Sequence, residues 1–334
     1  MRAFVITAPG VGEVRDVPPP VAGPGQVVVS VERAGICGTD AELFSGEMAY
    51  LHSGEASYPI RIGHEWCGTV AAVGESVDPS WLGRRVTGET MLGCGHCPRC
   101  RSGRQHLCAD RYEIGIRRGW PGALAEQLPV PVTALHELPD TVDPALGALV
   151  EPGANALRAV RAAAPTPGAP LLILGPGTIG LLAAQFAAAA GAEVHLLSPP
   201  GAPHTFARSL GFPHTWTEHT LPALPYQAVI DATNAPDLPA KAATLVEPGG
   251  RIVYIGLSTT PSQLDTRTLV LNDLTATGIL SAQGAFPDTI AAYAAGTVDP
   301  RPLIAATLPL THTHTALTHP RPTPAPKTHI DPRA

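Results

Sequence analysis

Lysine is nearly missing from this 334-residue chain, which carries only Lys241 and Lys327 and takes the rest of its positive charge from arginine. With 22 basic against 28 acidic residues the formal net charge is −6, so no basic footprint exists for nucleic acid. Long apolar runs are also lacking. The longest stretch free of charge, between Arg161 and Glu193, is broken by Pro165, Pro167, Pro170 and Pro176, which excludes a membrane span. No secretory leader is recognisable, so the expected compartment is the cytoplasm and the expected state of the cysteines is reduced. At 44% hydrophobic and 15% charged residues the composition is that of a soluble globular protein, and the length suggests two domains.

Cysteine is scarce, yet four of the six fall within fifteen positions, at Cys94, Cys97, Cys100 and Cys108. Two-residue gaps set neighbouring thiolates around one tetrahedral zinc, and four sulfur ligands leave no position open for substrate. This cluster is expected to hold a loop together and to do no chemistry. Disulfides are disfavoured by the crowding and the missing leader, and the paired histidines of a nucleic-acid finger are absent.

The N-terminal third is punctuated by Gly and Pro and rich in short β-branched runs such as Val27 to Val31 and Thr69 to Val73, the pattern of a β domain. From Leu171 onward the texture changes. LLIL, TIGLLAAQFAAAA, EVHLL, AVIDAT, a helix near Leu238 to Val246, RIVYIG and TATGIL alternate as a doubly wound parallel sheet should. Between the first strand and helix stands a G-x-G-x-x-G turn, Gly175, Pro176, Gly177, Thr178, Ile179 and Gly180. Its first glycine permits the tight turn, the second lets a pyrophosphate approach the backbone, and the third allows helix and strand to pack. NAD or NADP is the expected cofactor. The second strand normally ends in an acid that holds the ribose of NAD, but Ser198 stands there, followed by Pro199 and Pro200. His204 and Arg208 are the nearest positive candidates, so NADP is permitted.

Upstream lie GICGTDAEL, with Cys37, Thr39 and Asp40, and GHEWCG, with His64 and Glu65. One thiolate, one imidazole and one carboxylate can form the shell of a zinc that keeps a position open, whereas Cys67 reads as a core thiol.

These residues carry a resemblance. GHE-x-x-G, the four-cysteine lobe, the glycine turn, DAT with Thr233, and PGGRIVYIG follow in the order of the zinc-containing medium-chain alcohol dehydrogenases, and the sequence is most similar to their polyol, threonine and glucose dehydrogenase branches. The resemblance implies an α/β fold with a GroES-like catalytic domain over 1–150, completed by 285–334, and a Rossmann domain over 151–284. It implies two zinc ions, with Cys37 and His64 binding the catalytic one. Glu65 is the implied third ligand. Glu151 stands where classical relatives place another zinc-binding cysteine, so it could bind directly, bind through water or exchange with Glu65. Asp40 would orient His64, and Thr39 would relay the alcohol proton.

Many relatives place a histidine five residues after the zinc cysteine, where this chain has Glu42. An acid at that place resembles the glucose dehydrogenases; the plainer alternative is an exposed helical glutamate. Lys327, in the final KTHID strand, would lie near the cofactor phosphates by the same resemblance. The implied activity is hydride transfer between a secondary alcohol (a polyol, sugar or amino alcohol) or its carbonyl and NAD(P), by a homodimer or homotetramer. Glu89, Glu113 and Trp120 hint at a hydroxyl-rich small-molecule substrate. The tract THTHTALTH, followed by PRPTPAP, reads as exposed low-complexity surface. Two other readings stay open: a noncatalytic cofactor-binding relative, and a metal-free quinone or enone reductase on the same fold.

Overall fold

The computed structural model describes residues 1–199, 201, 204–319 and 321–334. Pro200 and Pro320 therefore lie outside the described residues. The chain divides into two compact units, one formed by residues 1–151, 286–295 and 303–334, the other by 152–285 and 296–302.

The first unit is built on a mixed sheet whose strands run in the order Ile304–Pro309, Lys327–Asp331, Gln26–Ile36, Glu65–Val73, Arg85–Gly88 and Leu135–Glu137, with Gln127–Pro131 also paired to Gln26–Ile36. The long strand Gln26–Ile36 is central because its alternating β-branched residues bury one face. Val27, Val29 and Val31 are fully buried there with Trp66, Leu43 and Ile62. The register aligns three strands at one point: His329 pairs with Gly35, and Gly35 with Glu65. Paired residues project to the same face, so His329 and Glu65 flank a position that has no side chain.

The second unit holds six parallel strands in the order Thr215–Trp216, Glu193–Leu197, Pro170–Leu174, Tyr226–Asp231, Val246–Tyr254 and Thr275–Gly278. Read in chain order this is 3-2-1-4-5-6, the Rossmann arrangement. Leu172, Leu174, Val229 and Ile252 fill its core without exposure, as strands covered on both faces require.

Two sequence expectations change here. Residues 296–302 group with the second unit, not with a continuous 285–334 block, because Gln185 donates to the Asp299 carbonyl at 3.1 Å and Val298 is buried. The THTHTALTH tract is not plain surface. Thr313–Thr318 forms a short helix in which Thr313 is buried, Ala316 and Leu317 pack on the first unit's core, and His314 meets Phe44 edge-on at 5.3 Å. Composition had suggested exposed low-complexity surface, and apolar contact anchors part of the tract. Among the described residues no helix is long and apolar enough to cross a membrane.

Candidate metal and cofactor sites

Cys37 follows the central strand directly and caps the helix Gly38–Ser45. The Cys37 amide donates to Asp40 Oδ2 at 2.9 Å, and the Gly63 amide donates to Asp40 Oδ1 at 3.0 Å. One fully buried carboxylate thus ties together the two segments that carry Cys37 and His64. His64 Nδ1 lies 3.7 Å from Asp40 Oδ1, beyond hydrogen-bond range, so Asp40 bonds the backbone amides of Cys37 and Gly63 and acts on the ring through its charge. Burial pulls the His64 pKa down, but the charges of Asp40 and Cys37 outweigh it and hold the imidazole well above its usual value. A metal there would displace that proton, since only neutral imidazole ligates.

A thiol sulfur of Cys37, a ring nitrogen of His64 and a carboxylate oxygen of Glu65 all lie within 4.8 Å of one another. The soft, borderline and hard donors converge on a buried point, and His64 Nδ1 has no hydrogen-bond partner. This donor set fits zinc. Glu151, at the start of the helix Val150–Ala163, is buried and accepts from Thr90 Oγ1 at 3.3 Å, while Thr90 also reaches the His64 carbonyl at 3.4 Å. It stands outside the tight group of three. Thr39 occupies the first turn after Cys37, half-buried. Glu42 is half-buried as well, and burial together with Glu47 raises its pKa, which argues against a freely solvated glutamate.

Lys327 departs from its expected place. Its Nζ donates to Glu65 Oε1 at 2.7 Å, to Glu65 Oε2 at 2.6 Å and to the Ile36 carbonyl at 3.0 Å. All three ammonium protons are used inside the first unit, so none is left for a cofactor phosphate. Glu89 and Glu113 are likewise engaged by the protein: Glu89 accepts from Gln105 at 2.9 Å, and Glu113 accepts from Arg111 at 2.8 Å and Tyr50 at 3.2 Å. Trp120 donates to the Pro129 carbonyl. Sequence reasoning missed the Lys327 contact and also His329, which is fully buried with neither ring nitrogen bonded. Burial, then Lys327 and Arg33, lower the His329 pKa to about 3.

The four-cysteine lobe is closed. Its sulfurs lie within 4.8 Å of one another, with Cys94 to Cys100 at 3.9 Å and Cys97 to Cys108 at 3.8 Å. A tetrahedron with Zn–S of about 2.3 Å has edges of about 3.8 Å, so the thiols stand at metal spacing. Backbone amides of His96 and Cys97 hold the Cys94 thiol down to about 6.

In the second unit Gly175 has φ of +91°, and a Cβ on Gly180 would fall 1.9 Å from the Gly175 carbonyl oxygen. Only glycine fits either place. A Cβ on Gly177 would meet nothing within 4 Å, which leaves the N-terminus of the helix Thr178–Ala189, with Thr178 and Ile179 in its first turn, open to an anion. Thr233 adjoins this turn, since its Cγ2 would lie 2.7 Å from a Gly175 Cβ, and its hydroxyl donates to Asp231 at 2.7 Å. Ser198 is buried, its amide bonded to the Trp216 carbonyl at 2.9 Å. Arg208 is exposed and gives Nε to Thr215 Oγ1 at 3.1 Å.

Residues 23–140 match the alcohol dehydrogenase GroES-like domain, and residues 178–295 match the zinc-binding dehydrogenase domain. An L-threonine 3-dehydrogenase of Saccharopolyspora erythraea is 34% identical over 84% of this chain and 83% of its own. A 2-dehydro-3-deoxy-L-galactonate 5-dehydrogenase of Pseudoalteromonas atlantica is 34% identical over 86% and 85%. Among solved structures, a zinc-binding dehydrogenase from Sinorhizobium meliloti bound to NADP superposes with a TM-score of 0.90 at 29% identity, covering 99% of both chains. The chain belongs to the zinc-dependent medium-chain alcohol dehydrogenase family. It is an NAD(P)-dependent oxidoreductase acting on alcohol groups, which sets aside the metal-free reductase.

Proposed function

We propose that Cys37, His64 and Glu65 hold the catalytic zinc of a dehydrogenase for a secondary alcohol on a polar carbon chain. The convergence of their three donor atoms within 4.8 Å carries this reading, and it argues against a noncatalytic relative. Zinc bound there supplies Lewis acidity that lowers the pKa of an alcohol, and the nicotinamide accepts its hydride. The protein's part is positional. Asp40 fixes the two ligand-bearing segments, Thr39 stands two residues from Cys37 to take the alcohol proton, and Glu42, whose pKa burial and Glu47 raise, stands one turn further along the same helix. Glu151 and Thr90 border the ligand set on the His64 side.

Gly175, Gly177, Thr178, Ile179 and Gly180 form the phosphate cradle, with Thr233 beside it and Ser198 and Arg208 at the adenosine end. The four cysteines hold the second zinc. The relatives named above act on threonine and on a keto-deoxygalactonate, and a polyhydroxylated or amino alcohol of that kind is the substrate class proposed here. Assembly is as a homodimer or homotetramer in the cytoplasm.

Elemental analysis of the purified protein tests the core of this reading. Two zinc ions per chain are expected, one of which disappears in Cys37→Ser and the other in Cys94→Ser. Reduction of NAD and NADP, followed by nicotinamide absorbance over a panel of polyols, aldonates and amino alcohols, should be abolished in Cys37→Ser with cofactor binding intact. A parent with one zinc per chain, lost in Cys94→Ser and fully retained in Cys37→Ser, would overturn the assignment.

A further inference from the structure

Glu65 is offered to two cations. It is a member of the three-donor group, and both of its oxygens are also gripped by the Lys327 ammonium at 2.7 and 2.6 Å. The arrangement is built into the sheet. Gly35, paired with Glu65 on one side and His329 on the other, leaves the space the carboxylate needs, for a Cβ there would stand 2.1 Å from Glu65 Oε2. Glu65 and Lys327 side chains are each only 2% exposed, so water screens neither charge. Each carboxylate oxygen carries more than one acceptor site, so an oxygen bonded to the ammonium can still ligate a metal.

We infer that Lys327 is a positioning residue that acts on the catalytic metal through Glu65, cancelling one ligand charge so that the metal is held less tightly and stays electrophilic. The inference rests on the metal reading above. A thiolate and a carboxylate together neutralise a divalent ion, whereas the same pair beside an ammonium leaves it one positive charge. The neutral His329 adds no charge of its own on that face. Removing the ammonium leaves Glu65 as an uncompensated buried anion, and the metal then becomes its sole partner.

The sign of the effect separates this role from a merely structural one. A residue that only shapes the site would, on removal, loosen the metal; Lys327 should, on removal, tighten it. Release of zinc from the full-length zinc-loaded protein to the dye 4-(2-pyridylazo)resorcinol would be followed, with the catalytic phase defined as the one missing in Cys37→Ser. In Lys327→Met and in Lys327→Gln, whose amide keeps a hydrogen bond to Glu65, that phase should slow by about tenfold or more, a modest fraction of the attraction between close buried charges. Lys327→Arg should restore the parental rate, and the four-cysteine phase should stay unmoved in all three. An unchanged or faster catalytic phase in both neutral variants would overturn the inference. Absence of any Cys37-dependent phase in the parent would instead overturn the metal assignment beneath it.

Discussion

Asp40 shows how much of this site depends on a single side chain that touches no substrate. Its two oxygens each accept from a backbone amide, one at Cys37 and one at Gly63, 23 residues further along the chain from Asp40. Both bonds are charge-assisted and buried, so Asp40→Ala should cost about 2 to 4 kcal/mol in urea unfolding, through lost hydrogen bonds and a lost helix cap. Asp40→Asn, which keeps only one acceptor oxygen, should fall between. A loss under 0.5 kcal/mol would mean that the two segments are held by something else. His329 offers a second test at this scale. Its folded pKa of about 3 lies below the ordinary value of 6.5, so the unfolded chain binds the extra proton between those limits. Stability is therefore complete above pH 6.5 and is lost as the pH falls toward 3, at up to about 1.4 kcal/mol per unit. His329→Leu should flatten the dependence of the urea midpoint between pH 6.5 and 4, and an identical slope in both proteins would refute the burial argument. Cys37, His64 and Glu65 were legible in the sequence because the chemistry of zinc fixes their types and the chain keeps them within short motifs. Lys327 and His329 were not, since their role arises from a strand pairing that local pattern does not encode.

Helices and strands of the second unit were the most readable elements, for an apolar run, a glycine turn and a helix form one local unit with strict steric demands at Gly175 and Gly180. The helix Thr313–Thr318 was the least readable, because its threonines and histidines gave no periodic apolar signal and only packing on Phe44 and its neighbours orders it. The end of the strand Glu193–Leu197 supports a prediction about cofactor choice. Ser198 sits there buried where an acid would hold a free ribose diol, so Ser198→Asp should repel a 2′-phosphate and favour NAD. One charge-assisted contact is worth roughly 1.5 to 3 kcal/mol, so the ratio of kcat/KM for NAD to that for NADP should rise about tenfold or more. A ratio that stays put or moves toward NADP would show that Ser198 does not face the ribose.

On the scale of the whole molecule, two strongly exposed apolar residues stand beside one edge of the parallel sheet. Val270 and Leu271, at 78% and 82% exposure, precede the terminal strand Thr275–Gly278, which has no neighbour on its outer side among the described residues. A free strand edge beside exposed aliphatic side chains is a liability in a monomer and is relieved by association. The double variant Val270→Asp, Leu271→Asp should shift the sedimentation mass toward the monomer while leaving zinc content at two per chain. An unchanged mass would place the proposed assembly elsewhere on the surface.

The pairing of Lys327 with Glu65 also has a history in time. The two residues are 262 positions apart, which at about 5 to 20 residues per second separates their emergence from the ribosome by roughly 13 to 50 seconds. For that interval Cys37, His64 and Glu65 exist without their ammonium, and the strand end Ala34–Ile36 has an empty flank where Thr328–Ile330 will pair. On the inference that Lys327 offsets the charge of Glu65, the site in such a nascent chain would be more anionic than in the finished fold. Metal captured during synthesis would then be gripped harder before the last strand closes than afterwards, and completing the fold would be the step that loosens it.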